Sequence, residues 1–194
     1  MKNLEIIAEY QQGRRDFTQV NLVQSSLYRA NLSEANLSGA NLTDANLGRA
    51  NLSKTNLSQA NLRGAKLTAS KLTGACLSAA NLQEANLMYA ELGKTDCRSA
   101  NLQRASLWQA MLNNADFMNA DLTDADLSNA DLVGTSFVGA NLSGADLSGA
   151  NLIAADLGGA NLTGANMTGA NVWNSNLTGA DLTDTILPDG HRHD

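Results

Sequence analysis

Leucine, or a residue standing in for it, recurs at every fifth position from Phe17 to Leu187, giving 35 centres of which 29 are leucine. The substitutes are Phe17, Cys97, Phe117, Phe137, Met167 and Val172. Alanine stands two residues before the centre in 26 of the 35 cases, and asparagine or aspartate stands one residue before it in 26. A period of five matches neither the 3.6 of an α-helix nor the 2 of a strand, so neither element can hold one face inward along such a pattern. A short extended segment closed by a turn can. Strand alternation within the five puts alanine and leucine on one side, asparagine and serine on the other. The fifth residue turns a corner, and 11 of the 16 glycines sit there, from Gly39 to Gly179. Such corners need backbone conformations that glycine and asparagine tolerate and branched residues do not. The repetition predicts a solenoid with alanine and leucine inside and successive coils about 4.8 Å apart.

The departures from the pattern count the sides of the coil. Inward alanine gives way to Thr55, Thr95, Thr135 and Ser175 at intervals of 40, with Ser70 and Thr185 as further exceptions. Cys97, Phe117 and Phe137 follow one another at intervals of 20. A three-sided coil has a period of 15, which fits neither interval; a four-sided coil has a period of 20 and fits both. A large phenylalanine is then met by phenylalanine or a small cysteine directly above or below it. The 35 repeats make nearly nine coils, a rod on the order of 42 Å long.

The pattern A(D/N)Lxx, written out at Ala30-Asn31-Leu32-Ser33-Glu34 and Ala140-Asn141-Leu142-Ser143-Gly144, resembles the pentapeptide repeat family over roughly nine-tenths of the chain. The resemblance implies an all-β solenoid of the right-handed quadrilateral β-helix type. The opening Leu4 to Phe17 is similar to a common family start, a short helix covering the first coil. Here that helix is expected from about Asn3 to Gln12, with Asn3 as N-cap, Glu5 and Glu9 near its start and Gly13 ending it. Leu4, Ile7 and Ala8 form the stripe expected to seal the core. An uncovered end would be an aggregation-prone edge. The organisation is therefore residues 1–15 as cap and turn, 16–187 as β-helix and 188–194 as a tail.

Composition changes the picture only by exclusion. The chain is 194 residues long, 43% hydrophobic but 4% aromatic, with 30 leucines and 30 alanines where an ordinary core mixes larger side chains. Few aromatic rings argue against a stacking platform for single-stranded nucleic acid, and no direct nucleic-acid binding is expected. No apolar run approaches the roughly 20 residues of a membrane span, and no signal peptide opens the chain. With two cysteines, this points to a reducing, cytoplasmic setting. Residues 1–100 carry 11 basic and 8 acidic side chains, net +3, while residues 101–194 carry 2 and 11, net −9. A solenoid lays that split out as a charge gradient along the rod.

Candidate chemistry is sparse. His191 and His193 have a spacing that can hold a metal weakly, but in the tail Pro188–Asp194 they read as solvated groups. Cys76 should point outward and Cys97 inward on neighbouring coils of one face, which leaves two free thiols. No nucleophile–base set, P-loop or dinucleotide fingerprint is present, so no enzyme and no cofactor are expected. One coil carries Asp116, Asp121, Asp126 and Asp131, with Asp124 at a corner. On a four-sided coil these carboxylates leave from four faces about 10 Å apart and cannot converge on one cation. They are expected to bond nearby backbone amides, as asparagine does at the same positions.

Outward apolar residues fall into columns instead. Val133, Ile153 and Trp173 should stack on one face, Met118 and Val138 on another, and Met88, Tyr89 and Trp108 form a third group with Met111 past its corner. Aromatic clusters of this kind mark contact surfaces. Ile186 and Leu187 end the last coil with too little chain beyond them for a second capping helix. The family resemblance implies dimers joined near this C-terminal end, which makes another subunit the expected cover. Two functions follow. The first is a non-enzymatic scaffold presenting rigid faces to a protein partner. The second, implied by the resemblance, is a DNA mimic binding DNA gyrase or a related topoisomerase. The acidic C-terminal half suits the mimic; the net positive N-terminal half and the lack of a long interrupting loop do not.

Overall fold

A computed structural model describes residues 3–194. Its ladder is a run of parallel bridges, each joining residue i to residue i+20, from Asp16–Asn36 to Asn166–Ile186. Four pentapeptides therefore complete one coil. We number the faces by their first centres: face 1 from Phe17, face 2 from Leu22, face 3 from Leu27 and face 4 from Leu32, each continuing every 20 residues.

The repeat satisfies its own backbone. In the second repeat, the Leu22 amide donates to Asn41 O in the next coil at 2.7 Å, and the corner amide of Gln24 to Thr43 O at 2.8 Å. The Ser25 amide closes the turn on Leu22 O at 3.1 Å. The Asn41 amide donates down to Val20 O at 2.9 Å. One amide per repeat is left over, that of the residue after the centre, and in most repeats the asparagine or aspartate side chain accepts it. Asn21 Oδ1 takes the Val23 amide at 3.2 Å, and Asp126 Oδ1 takes the Ser128 amide at 3.0 Å. This is why the position before leucine is Asn or Asp: it completes the hydrogen-bond accounting that a buried or half-buried backbone requires.

The corners are less selective than glycine alone would make them. All 34 corners from residue 19 to residue 184 have positive φ, yet 23 of them are not glycine. Gln, Arg, Lys, Glu, Asp, Asn, Ala, Ser and Tyr are all found there, and Val, Ile and Thr are not. A β-carbon is tolerated; branching at it is what the left-handed corner excludes. Glycine is demanded for a second reason at some corners. A β-carbon on Gly144 would lie 2.6 Å from Asp124 Oδ1 one coil earlier, whereas one on Gly164 would meet nothing within 4 Å.

Inside, the leucines and alanines are buried as expected, and Phe117 and Phe137 stack with ring centroids 5.3 Å apart and planes 16° from parallel. The inward threonines are satisfied by carbonyls of the preceding coil: Thr55 donates to Leu32 O at 3.0 Å and Thr135 to Leu112 O at 2.8 Å. Ser70 is different, its buried hydroxyl having no partner.

The N-terminal helix, α1, spans Asn3–Gln11. It ends at Gly13 with φ of 98°, where the Gly13 amide bonds Tyr10 O and the Arg14 amide bonds Glu9 O, both at 3.0 Å. That pair of bonds is a Schellman termination. The apolar stripe differs from the expected one. Ile6 and Tyr10, four residues apart, enter the core with Ile7 partly buried beside them, while Ala8 is exposed. Tyr10 wins over Ala8 because its ring adds apolar area and its hydroxyl reaches Ser33 O at 2.9 Å. The side chains of Asn3 and Leu4, expected as cap and seal, lie outside the described residues.

At the other end the tail folds back. Ile186 pairs antiparallel with Arg192, the Leu187 amide donates to His191 O at 2.7 Å and the His193 amide to Thr185 O at 2.8 Å. Ile186 and Leu187 are thus engaged by the chain itself through the backbone, while their side chains stay partly exposed. Val172, Leu177 and Leu182, centres of the last coil on the other three sides, remain partly exposed.

Candidate interaction surface

Arranged by face, the outward side chains are unevenly spread. The position before the centre departs from Asn or Asp at nine places: Ser26, Lys66, Ser106 and Ile186 on face 3, Lys71, Glu91 and Met111 on face 4, and Cys76 and Ser136 on face 1. Seven of the nine are on faces 3 and 4, and none is on face 2. Each such replacement gives up a side-chain acceptor for a backbone amide. Where a chain breaks its own local rule without a structural return, function is the usual reason.

Aromatic rings follow the same division. Beyond α1, every outward ring among the described residues lies on face 3, face 4 or the corner between them: Tyr28, Tyr89, Trp108 and Trp173. Tyr89 and Trp108 meet edge to face at 4.9 Å, and Met88 and Met111 occupy neighbouring positions of the same two faces. Of the group Met88, Tyr89 and Trp108, the two rings are brought into contact. Val133 and Ile153 are half-buried, and Trp173, next in their column, is 71% exposed. Their backbones are successive rungs, Gly134 N to Ile153 O and Ala154 N to Trp173 O. Met118 and Val138 form a lesser column on face 1.

Charge is divided too. Arg63 pairs with Glu84 at 3.4 Å, Arg98 with Asp96 at 2.7 Å and Asp116 at 3.8 Å, and Arg104 with Asp124 at 3.6 Å. All of these lie on faces 1 and 2 or the corner after face 2, and one further pair, Lys54 with Glu34 at 3.6 Å, lies at the corner after face 4. Among the described residues, Arg15, Arg29, Arg49, Lys66, Lys71 and Lys94 have no acidic partner within 4.0 Å. Arg15 lies over the Tyr10 ring at 3.9 Å. The other five line faces 3 and 4 and the corners that follow them. The sequence showed the charge gradient along the rod but not this second asymmetry around it; numbering the residues in columns of 20 reveals it.

The acidic coil behaves as backbone support. Asp116, Asp121, Asp126 and Asp131 stand on faces 1, 2, 3 and 4 and accept the amides of Met118, Thr123, Ser128 and Val133 at 3.0, 3.0, 3.0 and 3.4 Å. Burial pushes Asp121 up, but the Thr123 hydroxyl and amide and the Gln103 side chain outweigh it and hold the carboxyl below its ordinary range. Asp96 is likewise held low, chiefly by the Arg98 guanidinium. Both cysteines are free, Cys76 half-buried on the outside and Cys97 fully buried. Burial pushes the Cys97 thiol well up. A shallow groove on face 1, between Ser78, Arg98 and Met118, contains no nucleophile with a base. Among the described residues, no helix is long and apolar enough to cross a membrane.

A coil of four pentapeptides with a self-satisfied backbone and decorated faces defines the class: a repeat solenoid. Eight copies of the family signature described as Pentapeptide repeats match within residues 16–49, 45–83, 80–119, 120–153 and 145–184. The chain belongs to the pentapeptide repeat family. Among solved structures it is similar to HetL, a pentapeptide repeat protein involved in heterocyst differentiation regulation from the cyanobacterium Nostoc sp. strain PCC 7120, at 36% identity over 100% of both chains, with a TM-score of 0.43. It is similar to Rfr23 from the cyanobacterium Cyanothece 51142 at 42% identity over 47% of this chain and 63% of that one, with a TM-score of 0.47. It also shares its fold with QnrB1, a plasmid-mediated fluoroquinolone resistance protein, at 19% identity over 89% and 92%, with a TM-score of 0.56. No curated protein sequence matches the chain.

Proposed function

We propose that this protein is a non-enzymatic, cytoplasmic scaffold, a right-handed quadrilateral β-helix with α1 as its N-terminal cap, that binds a protein partner through faces 3 and 4. In this reading residues 1–15 are the cap, 16–187 the display rod and 188–194 the closing tail. The observation that carries it is the placement of seven of the nine departures from Asn or Asp on those two faces. The outward rings and the unpaired cations lie on the same side. Faces 1 and 2 are largely ladders of Asn, Ser and Thr, which serve the backbone and offer a partner little apolar anchor.

The DNA-mimic reading, with gyrase or a related topoisomerase as the target, draws support from the fold and from the net −9 of residues 101–194. It is the weaker reading. A mimic has to be acidic along its contacting length, and here the five cations without acidic partners line one side of the first half. A gyrase supercoiling assay with and without a quinolone separates the two; the scaffold reading expects neither inhibition nor rescue at micromolar protein.

A homodimer through the C-terminal end fits the partly exposed Val172, Leu177, Leu182 and Leu187 of the last coil. For the scaffold itself the test is co-purification from the native cell. Trp173→Glu and Lys71→Glu are expected to lose a partner that the wild type retains, and retention by both variants would contradict the assignment of the faces.

A further inference from the structure

Face 3 has a symmetry that neither the repeat nor the scaffold reading requires. Its outward residues form two columns, one before the centres and one after them, bounded by the corners to face 2 and face 4. In the first column Lys66 and Asp126 lie on either side of residue 96. In the second, Met88 and Trp108 lie on either side of residue 98. At the corner with face 2, Glu84 and Arg104 lie on either side of residue 94. These midpoints agree to within a quarter of a coil, about 1 Å along the rod.

A two-fold axis lying across face 3 at that level keeps each column in place and reverses its direction. It brings Lys66 of one copy to Asp126 of the other, Met88 to Trp108 and Glu84 to Arg104, each contact occurring twice, as a self-complementary interface demands. Further out, Asn46 meets Asp146, and Arg49 at the corner with face 4 comes opposite Gly149. No like charges coincide. The residues opposed on either side of the apolar centre are small, Gly48 to Ser148 and Thr68 to Ser128, so the two flat faces can approach.

We infer that face 3 is a docking surface for a second copy of this chain, packed side by side and antiparallel about an axis between the fourth and fifth coils. Of the charges that meet, Glu84 and Arg104 already pair within the chain with Arg63 and Asp124, whereas Lys66 and Asp126 are available. Lys66 is exposed, and neither Lys66 nor Asp126 takes part in an ion pair among the described residues. Tyr89 props the Trp108 ring edge to face at 4.9 Å, fixing the apolar centre in place. Eight coils by one face about 10 Å wide bury roughly 400 Å² per copy, about 800 Å² in all, which is below the size of a stable dimer interface and fits a weak, salt-sensitive one. This contact is separate from the C-terminal end and leaves face 4 open, so one rod can pair with a copy and still present Trp173.

Sedimentation of the full chain from about 5 to 500 µM, at low and high salt, tests it with a charge swap. Lys66→Glu and Asp126→Lys are each expected to weaken self-association at least tenfold, and the double variant to restore it. Lysine already occupies this repeat position at Lys66 and Lys71, so folding is not at stake, and circular dichroism checks that. A chain that stays monomeric throughout overturns the inference. So does association indifferent to both reversals; if Leu177→Asp abolishes such association, the C-terminal end is the contact instead.

Discussion

Asn141 shows what a single outward residue does in this architecture. Its Oδ1 accepts the Ser143 amide at 3.2 Å and the Asn161 side chain at 3.1 Å, and its Nδ2 donates to Thr123 Oγ1 at 2.8 Å. Side chains of this kind tie three coils together while exposing little to a partner. Inward, the same logic isolates one flaw: Ser70 buries a hydroxyl with no partner where alanine is the rule. Ser70→Ala is expected to stabilise the chain by about 1 kcal/mol, because removing a buried unsatisfied hydroxyl recovers its desolvation cost. A denaturation midpoint that falls in the alanine variant contradicts this. The thiols supply a second check. Iodoacetamide is expected to label Cys76 in the folded protein and Cys97 only after unfolding, since Cys97 is fully buried and its thiolate is disfavoured. Mass spectrometry reads the order, and early labelling of Cys97 would show the core column to be open.

At the scale of the element, the corner accepts more than glycine. Glycine at 11 corners made the turn visible, but most corners hold residues with a β-carbon, and the common exclusion is branching. Glycine is selected more strictly where the corner one coil earlier carries Asp or Asn, as with Asp124 beneath Gly144. Gly164→Ala is expected to cost about 1 kcal/mol from its positive φ alone. Gly144→Ala is expected to cost more, because Asp124 must also turn aside and loosen its contact with Arg104 at 3.6 Å. Equal losses for the two in thermal melts would count against the packing described. The helix α1 was legible in its extent and termination but not in its buried stripe. The buried stripe of a short helix is set by what it packs on, and Tyr10 is placed by Ser33, which is distant in sequence.

For the whole molecule, the four-sided coil was legible because its evidence is arithmetic: Phe117 and Phe137 can be neighbours only with a period that divides 20. The surface was half legible. Columns such as Val133, Ile153 and Trp173 follow from the period, whereas the one-sided cations emerge only when ion pairs across coils, such as Arg63 with Glu84, are removed from the count. The central claim is that faces 3 and 4 are the working side of the rod. Photo-crosslinking residues placed singly at Trp108 and Trp173, and as controls at Gln83 and Thr163 on face 2, test it in the native cell. The account predicts adducts with another protein from position 173, adducts from position 108 with that protein or a second copy, and none from 83 and 163; adducts confined to the face 2 positions would contradict it.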